Sequence, residues 1–270
     1  MRAWRAVAGL AACGTAVAGA RTAAGRPLTS APSLCAAGTG LGAAGLMVHQ
    51  WISPRSQLYG PVFWHARTER RVMALTFDDG PCHPFTEQLL GILDREGVRA
   101  TFFLPGANVR REPALAAEVA SEHAIGNHTF THPYLTWRVA RTIREEIERG
   151  QDEIQAATGR IPSLFRTPHG WYGPQVISTA ESLGLACVGW SVMAWDWSRP
   201  PVETIHRRIL RGSSPGGISL LHDGQDTDAF PEADRSRTIA AVPLVIESLR
   251  EEGYSFVTVP DLIRLDRDSA

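Results

Sequence analysis

Only four cysteines occur in 270 residues, and no two of them stand in a Cys-x-x-Cys pair. Cys13 and Cys35 lie in small-residue apolar stretches, Cys187 in a strand-like run and Cys82 beside an acidic pair. This spacing excludes a cysteine zinc site and gives no sign of a disulfide framework. Cys82 reads as a small loop residue rather than a reactive thiol. Charge of one sign is equally lacking: the net charge is −1, with the arginines scattered and no dense basic run, which argues against a nucleic-acid partner. No Gly-x-Gly-x-x-Gly follows a strand-like run, so the dinucleotide fingerprint is missing. There is no internal repeat and no strong coiled-coil pattern. What is present, 44% apolar residues over this length, suits one globular domain with a sizeable core plus an extension.

The extension spans residues 1–65 and is rich in Ala and Gly. Met1 to Arg5 carries two arginines, Ala6 to Ala20 is uncharged, and Ala18-Gly19-Ala20 has the small residues of a cleavage site. That order resembles a secretory signal. Leu34 to Ile52 then runs 19 residues without Asp, Glu, Lys or Arg, long enough to cross a bilayer though only modestly hydrophobic. Both stretches predict export to the cell envelope or membrane association through residues 6–52. They leave open whether residues 1–20 are removed and which side of the membrane the domain occupies.

From Arg67 onward, apolar strand-like runs alternate with amphipathic patterns. Strands are expected over 72–77, 98–104, 124–127, 163–166, 186–191, 217–221 and 255–259, and helices near 86–96, 113–122, 138–157, 174–183, 202–211 and 238–252. In the longest helix Val139, Ile143, Ile147, Gly150 and Ile154 form one apolar stripe. Seven strands alternating with helices read as a parallel α/β architecture in residues 66–270. Periodicity alone does not separate an open doubly wound sheet from a barrel.

The most informative segment is Thr76-Phe77-Asp78-Asp79-Gly80-Pro81, two adjacent carboxylates where an apolar run ends in a turn. Consecutive side chains at a strand end point in different directions, so one carboxylate is able to bind a cation while its neighbour acts as a base. About 50 residues later His128-Thr129-Phe130-Thr131-His132 offers two imidazoles at i, i+4, a spacing that brings them onto one face. Each pair alone reads as a turn and as ordinary loop histidines; together they propose an Asp-His-His metal site.

These motifs, followed by Arg166-Thr167-Pro168-His169, Met193-Ala194-Trp195-Asp196-Trp197 and Leu220-Leu221-His222, resemble in type and order the polysaccharide deacetylases of carbohydrate esterase family four. The resemblance covers roughly residues 70–260. It implies a distorted seven-stranded (β/α) barrel and a metal-dependent hydrolase that removes N-acetyl groups from a polysaccharide, peptidoglycan or glycolipid. Asp79, His128 and His132 would hold a divalent metal, zinc first, with cobalt, manganese or nickel as alternatives. Asp78 would be the general base, Arg166 would orient it, and the backbone N–H of His169 would stabilise the oxyanion. His222 would protonate the leaving amine. Leu220 would line the acetyl pocket, while Trp171, Trp195 and Trp197, with Tyr172, offer flat surfaces for sugar rings; Trp190 reads as core.

One position departs from the family's pattern. Its acidic partner for the catalytic histidine falls on Met193, and a thioether cannot orient an imidazole. That leaves His222 under-supported, or supported by Asp196 or Asp223. An O-acetyl esterase, a non-sugar amidase and a catalytically weak binding module are the alternatives. The acidic run Asp223, Asp226, Asp228, Glu232 and Asp234 reads as a solvated loop.

Overall fold

The computed structural model describes residues 57–225 and 234–269. The leader-like and charge-free stretches of the N-terminal extension lie outside the described residues, as do Asp226, Asp228 and Glu232. Among the described residues no helix is long and apolar enough to cross a membrane.

The chain alternates as expected. Its elements are β1 (Val72–Asp78), α1 (Phe85–Arg95), β2 (Thr101–Leu104), α2 (Gly106–Arg111), α3 (Pro113–Glu122), β3 (Ala124–Asn127), α4 (Ala140–Thr158) and β4 (Leu164–Phe165). They continue with α5 (Pro174–Ser182), β5 (Ala186–Cys187), β6 (Val192–Met193), α6 (Val202–Gly212), β7 (Gly217–His222), α7 (Ser236–Glu251), β8 (Ser255–Phe256) and α8 (Val259–Asp268). Every strand pair is parallel. Seven strands follow one path, in the order β5-β4-β3-β2-β1-β7-β6, and β8 pairs with β1 beside it.

Chain ahead of β1 that is not a strand reaches from the β5 end of this path to β7, the neighbour of its other end. Phe63 bridges in parallel to Val188 and His65 antiparallel to Gly217, so residues assigned to the extension by sequence pack against the sheet, with Val62 buried. The result is a distorted (β/α) barrel. β1 shows how its wall is built, since successive side chains alternate between faces. Met73, Leu75 and Phe77 join the core beneath the helices. Val72 and Ala74 turn into a second cluster with Phe103, Val188, Ile218 and Leu220, and Thr76 and Asp78 share their parity at the carboxyl end.

Differences from expectation have local causes. The strand expected over 255–259 stops at Phe256, because Thr258 caps α8: its hydroxyl accepts the Asp261 N–H while the Asp261 carboxylate accepts the Thr258 N–H, a reciprocal capping box. The run 186–191 yields two strand residues before the chain turns toward β6. In α4 the stripe of Ile143, Ile147, Gly150 and Ile154 is buried, but Val139 stands at the N-cap and is 67% exposed. Ile154→Ala should therefore destabilise the protein by about 2–5 kcal/mol, the usual range for truncating a buried Ile. Val139→Ala should stay within about 0.5 kcal/mol of the parent; urea unfolding midpoints of the two variants check both values.

Candidate metal and catalytic site

The carboxyl ends of β1, β3, β4 and β7 gather the polar residues. Register fixes much of this: Asp78 stands opposite Phe103 on one side and His222 on the other, and Asn127 opposite Phe165. One residue beyond their strands come Asp79, His128 and Arg166. Asp79 leaves β1 with φ 75, a left-handed backbone that an L residue adopts only when its surroundings hold it.

Asp79, His128 and His132 are all buried, and one ligand atom from each lies within 4.8 Å of the others. Asp79 Oδ1 is 3.1 Å from His132 Nε2 and 3.6 Å from His128 Nε2. Ligands about 2.0–2.2 Å from a tetrahedral ion are themselves roughly 3.4 Å apart, so this spacing fits a shared cation. Two further observations support the fit. His128 Nδ1 lies 2.7 Å from the Arg166 carbonyl, which only accepts, so Nδ1 carries the proton and Nε2 presents its lone pair. Asp79 Oδ1 is buried and accepts no hydrogen bond, leaving it to a cation. Burial opposes ionisation of Asp79, but His132, His222 and His128 outweigh it and bring its pKa well below the usual carboxylate range. Burial, reinforced by His132, holds His128 well below the ordinary imidazole value and therefore neutral, the form a metal ligand requires.

Asp78 is held differently. Arg166, with no exposed surface, donates from Nη1 to Asp78 Oδ1 at 2.7 Å and to Thr76 Oγ1 at 2.8 Å, from Nε to the Val188 carbonyl, and from Nη2 to the Gly189 carbonyl. Its guanidinium also lies 4.0 Å over the Phe103 ring. This is a built-in clamp, not a surface ion pair. Burial raises the Asp78 pKa and Arg166 opposes that rise, with the net shift upward, which suits a carboxylate that must take a proton. Asp78 Oδ2 faces His128 Nε2 at 3.7 Å.

The partner of His222 is Asp196. Its Oδ1 lies 2.9 Å from His222 Nδ1, and its Oδ2 accepts the His222 backbone N–H at 2.8 Å and the Thr238 hydroxyl at 3.0 Å. The expectation that Met193 leaves His222 under-supported is thus corrected: a carboxylate three residues later in the chain occupies the place, delivered by the 3-10 turn Asp196–Ser198. Asp223 does not fill it. That residue is fully buried, not part of a solvated loop, and accepts the Thr86 hydroxyl at 2.6 Å; burial pushes its pKa up to about 7. Burial and Asp223 raise the Cys82 thiol as well, so Cys82 is no activated nucleophile.

The aromatic residues divide. Tyr172 and Trp190 belong to the core: the Tyr172 hydroxyl donates to the Val188 carbonyl at 2.6 Å, and Trp190 packs with Leu220 and Phe103. Tyr172 is therefore no sugar platform. Trp195 and Trp197 are 41% and 50% exposed with ring centroids 5.8 Å apart. On another side, the His169 ring stacks on Tyr134 at 3.6 Å and meets His132 edge-on at 4.7 Å, and Trp171 stands T-shaped against Tyr134. Tyr134 was not foreseen, although its place two residues after His132 is a signal that sequence offers. The His169 backbone sits at φ 61, turning the peptide that follows Pro168.

A family model described as polysaccharide deacetylase matches residues 65–188. The chain is 36% identical over 211 residues to a peptidoglycan-N-acetylglucosamine deacetylase of Bacillus cereus, covering 76% of this chain and 94% of the relative. It is 36% identical over 203 residues to a chitooligosaccharide deacetylase of Rhizobium leguminosarum bv. trifolii, covering 73% and 94%. Among solved structures, a CE4-family pseudoenzyme from Bacillus anthracis superposes with a TM-score of 0.68 at 26% identity, over 75% of this chain and 68% of that one.

The Asp196 pair gives a titration test. Burial alone would lower the His222 pKa, but the charge and hydrogen bond of Asp196 outweigh it and raise it above 6.5. A raised imidazole stays protonated to higher pH, so removing the anion must shift the midpoint down. In the metal-free protein, the His222 midpoint followed by nitrogen NMR should fall on Asp196→Asn. An unchanged midpoint would show that the pair does not tune the ring.

Proposed function

The chain belongs to the polysaccharide deacetylase family, and from that premise we propose that it hydrolyses N-acetyl groups on an N-acetylglucosamine-type polysaccharide with the site at the carboxyl ends of β1, β3, β4 and β7. The observation that carries this reading is the pairing of a clamped base carboxylate, Asp78, with three converging ligand atoms on Asp79, His128 and His132. A pseudoenzyme among the structural relatives makes the residues themselves decisive, and here the base, the three ligands and a carboxylate-backed histidine occur together.

Asp79, His128 and His132 would hold the cation, and nitrogen and carboxylate donors suit zinc. When bound, such an ion supplies Lewis-acid polarisation of a carbonyl and lowers the pKa of water. Asp78 takes the proton of the attacking water at Oδ2, because Oδ1 is engaged by Arg166. Water oxygen bonds to the acetamide carbon, and the His169 N–H donates to the oxygen that gains charge. The C–N bond then breaks while His222 delivers a proton from Nε2 to the departing nitrogen; Nδ1 remains with Asp196. Acetate and a free amine result. Leu220, buried between β1 and β6, lines the side that takes the acetyl methyl. Trp195, Trp197 and Trp171 supply faces for sugar rings.

Site of action is proposed from the leader-like residues 1–20 and the charge-free residues 34–52, which support export or membrane association at the cell envelope. Fractionation of expressing cells should place the chain in the membrane or secreted fraction; recovery in the cytosol alone would refute this part.

The activity is tested by acetate release from N-acetylglucosamine oligomers with added zinc. Asp78→Asn should keep zinc stoichiometry and lose roughly 10²–10⁴-fold in turnover, the usual range for a general base. Release of acetate at the parent rate would mean that the base is misassigned.

A further inference from the structure

The segment joining the two ligand histidines has no regular structure, and both Thr129 (φ 67) and His132 (φ 59) are left-handed. Two such non-glycine positions in four residues persist only when the surroundings over-determine them. Here the four successive backbone N–H groups are all accepted by side chains. Asn127 Oδ1 takes the Thr129 N–H at 2.7 Å, Glu146 Oε2 takes those of Phe130 at 3.1 Å and Thr131 at 2.8 Å, and Thr129 Oγ1 takes that of His132 at 3.1 Å. Glu146 Oε1 also accepts the Thr131 hydroxyl at 2.9 Å.

Glu146 belongs to α4, and the rest of that helix grips the same segment. The Asn127 amide donates to the Ile147 carbonyl at 2.8 Å. Arg149 lies 3.8 Å over the Phe130 ring, which Arg110 of α2 covers at 4.8 Å. At Gly150 the helix backbone comes so close that a Cβ would stand 2.5 Å from the Thr129 carbonyl oxygen.

We propose that Glu146 is a positioning residue for the metal site: by accepting the two central N–H groups of the segment it fixes where His132 stands relative to His128. The hydrogen bonds of the carboxylate go to Phe130 and Thr131, so it acts through the backbone between the two ligands. This rests on the metal-site reading above and adds to it a residue with no role in the chemistry. A structural prop alone would affect folding; a positioning residue changes metal affinity in a protein that stays folded, since partners behind the ligands typically govern 10–100-fold in affinity.

The test uses the metal-stripped full chain and zinc, with affinity read by competition against a chromophoric chelator. Glu146→Ala should bind zinc roughly 10–100-fold more weakly. Glu146→Asp, one methylene too short to reach both N–H groups, should also weaken it. Glu146→Gln, whose carbonyl still accepts both, should restore affinity to within about threefold, as fits a role through geometry rather than charge. Glu148→Gln, on the outer face of α4 in an exposed pair with Arg144, should bind as the parent does. If Glu146→Ala does not fold, Glu146→Asp decides. Parent-like affinity in a folded Glu146→Asp, together with parent-like affinity in any folded Glu146→Ala, would overturn the proposal alone. Failure of the unmodified chain to bind zinc would overturn the metal reading beneath it.

Discussion

A guanidinium with no exposed surface is tolerable in a protein interior only if its donors are matched and its charge is paired. Arg166 meets that condition by reaching two separate stretches of the barrel: Thr76 and Asp78 on β1, and the carbonyls of Val188 and Gly189 beyond β5. The same residue offers its backbone carbonyl to His128. A single position therefore orients the base through its side chain and a metal ligand through its main chain. Thr76 completes the link by donating its hydroxyl to the Ser219 carbonyl on β7. The barrel wall and the chemistry share these contacts, so neither is built without the other.

Strained backbone marks the rim of the site. Of six non-glycine residues with positive φ among the described residues, Asp79, Thr129, His132 and His169 belong to the site or the loops that form it, and Trp195 immediately precedes Asp196. A strand directs alternate side chains to opposite faces, so Asp78 and Asp79 would diverge if β1 simply continued. The left-handed turn at Asp79 sends its carboxylate toward the histidines while Asp78 stays with Arg166. Strain of this kind costs of order 1–3 kcal/mol per residue, and the side-chain hydrogen bonds around Thr129 and His132 are where the fold offsets it.

The parts legible in the sequence were those with a local cause. The β1 run ending at the acidic pair, the α4 stripe and the order of the motifs were all readable, because period and adjacency are properties of neighbouring residues. Short pieces were not: α2 has six residues and β6 two, too few for a pattern. α8 did carry a readable signal in Thr258-Val259-Pro260-Asp261, which the apolar run before it masked. Sequence leaves His222 under-supported, or partnered by Asp196 or Asp223, since that choice depends on which carboxylate the turn at Asp196–Ser198 brings to β7. Glu146 had no distinguishing mark among the Arg and Glu residues of its helix; only the packing of α4 on the histidine loop reveals it.

The arrangement around β1 has a consequence for synthesis. Among the described residues β1 is the first strand, yet β7 pairs with Met73–Asp78 along one edge and β8 with Val72 and Met73 on the other, both strands from much later in the sequence. While only residues up to β6 have left the ribosome, β1 has β2 as its sole neighbour, and Asp78 lies across from an empty register position. At about 5–20 residues per second, the interval between β2 and β7 lasts on the order of five to twenty-five seconds. Throughout it, the apolar strand that carries both carboxylates has an unpaired edge, and the site has no means of closing. Closing the second edge of β1 thus waits on pairing between strands far apart in the chain, which is intrinsically slow.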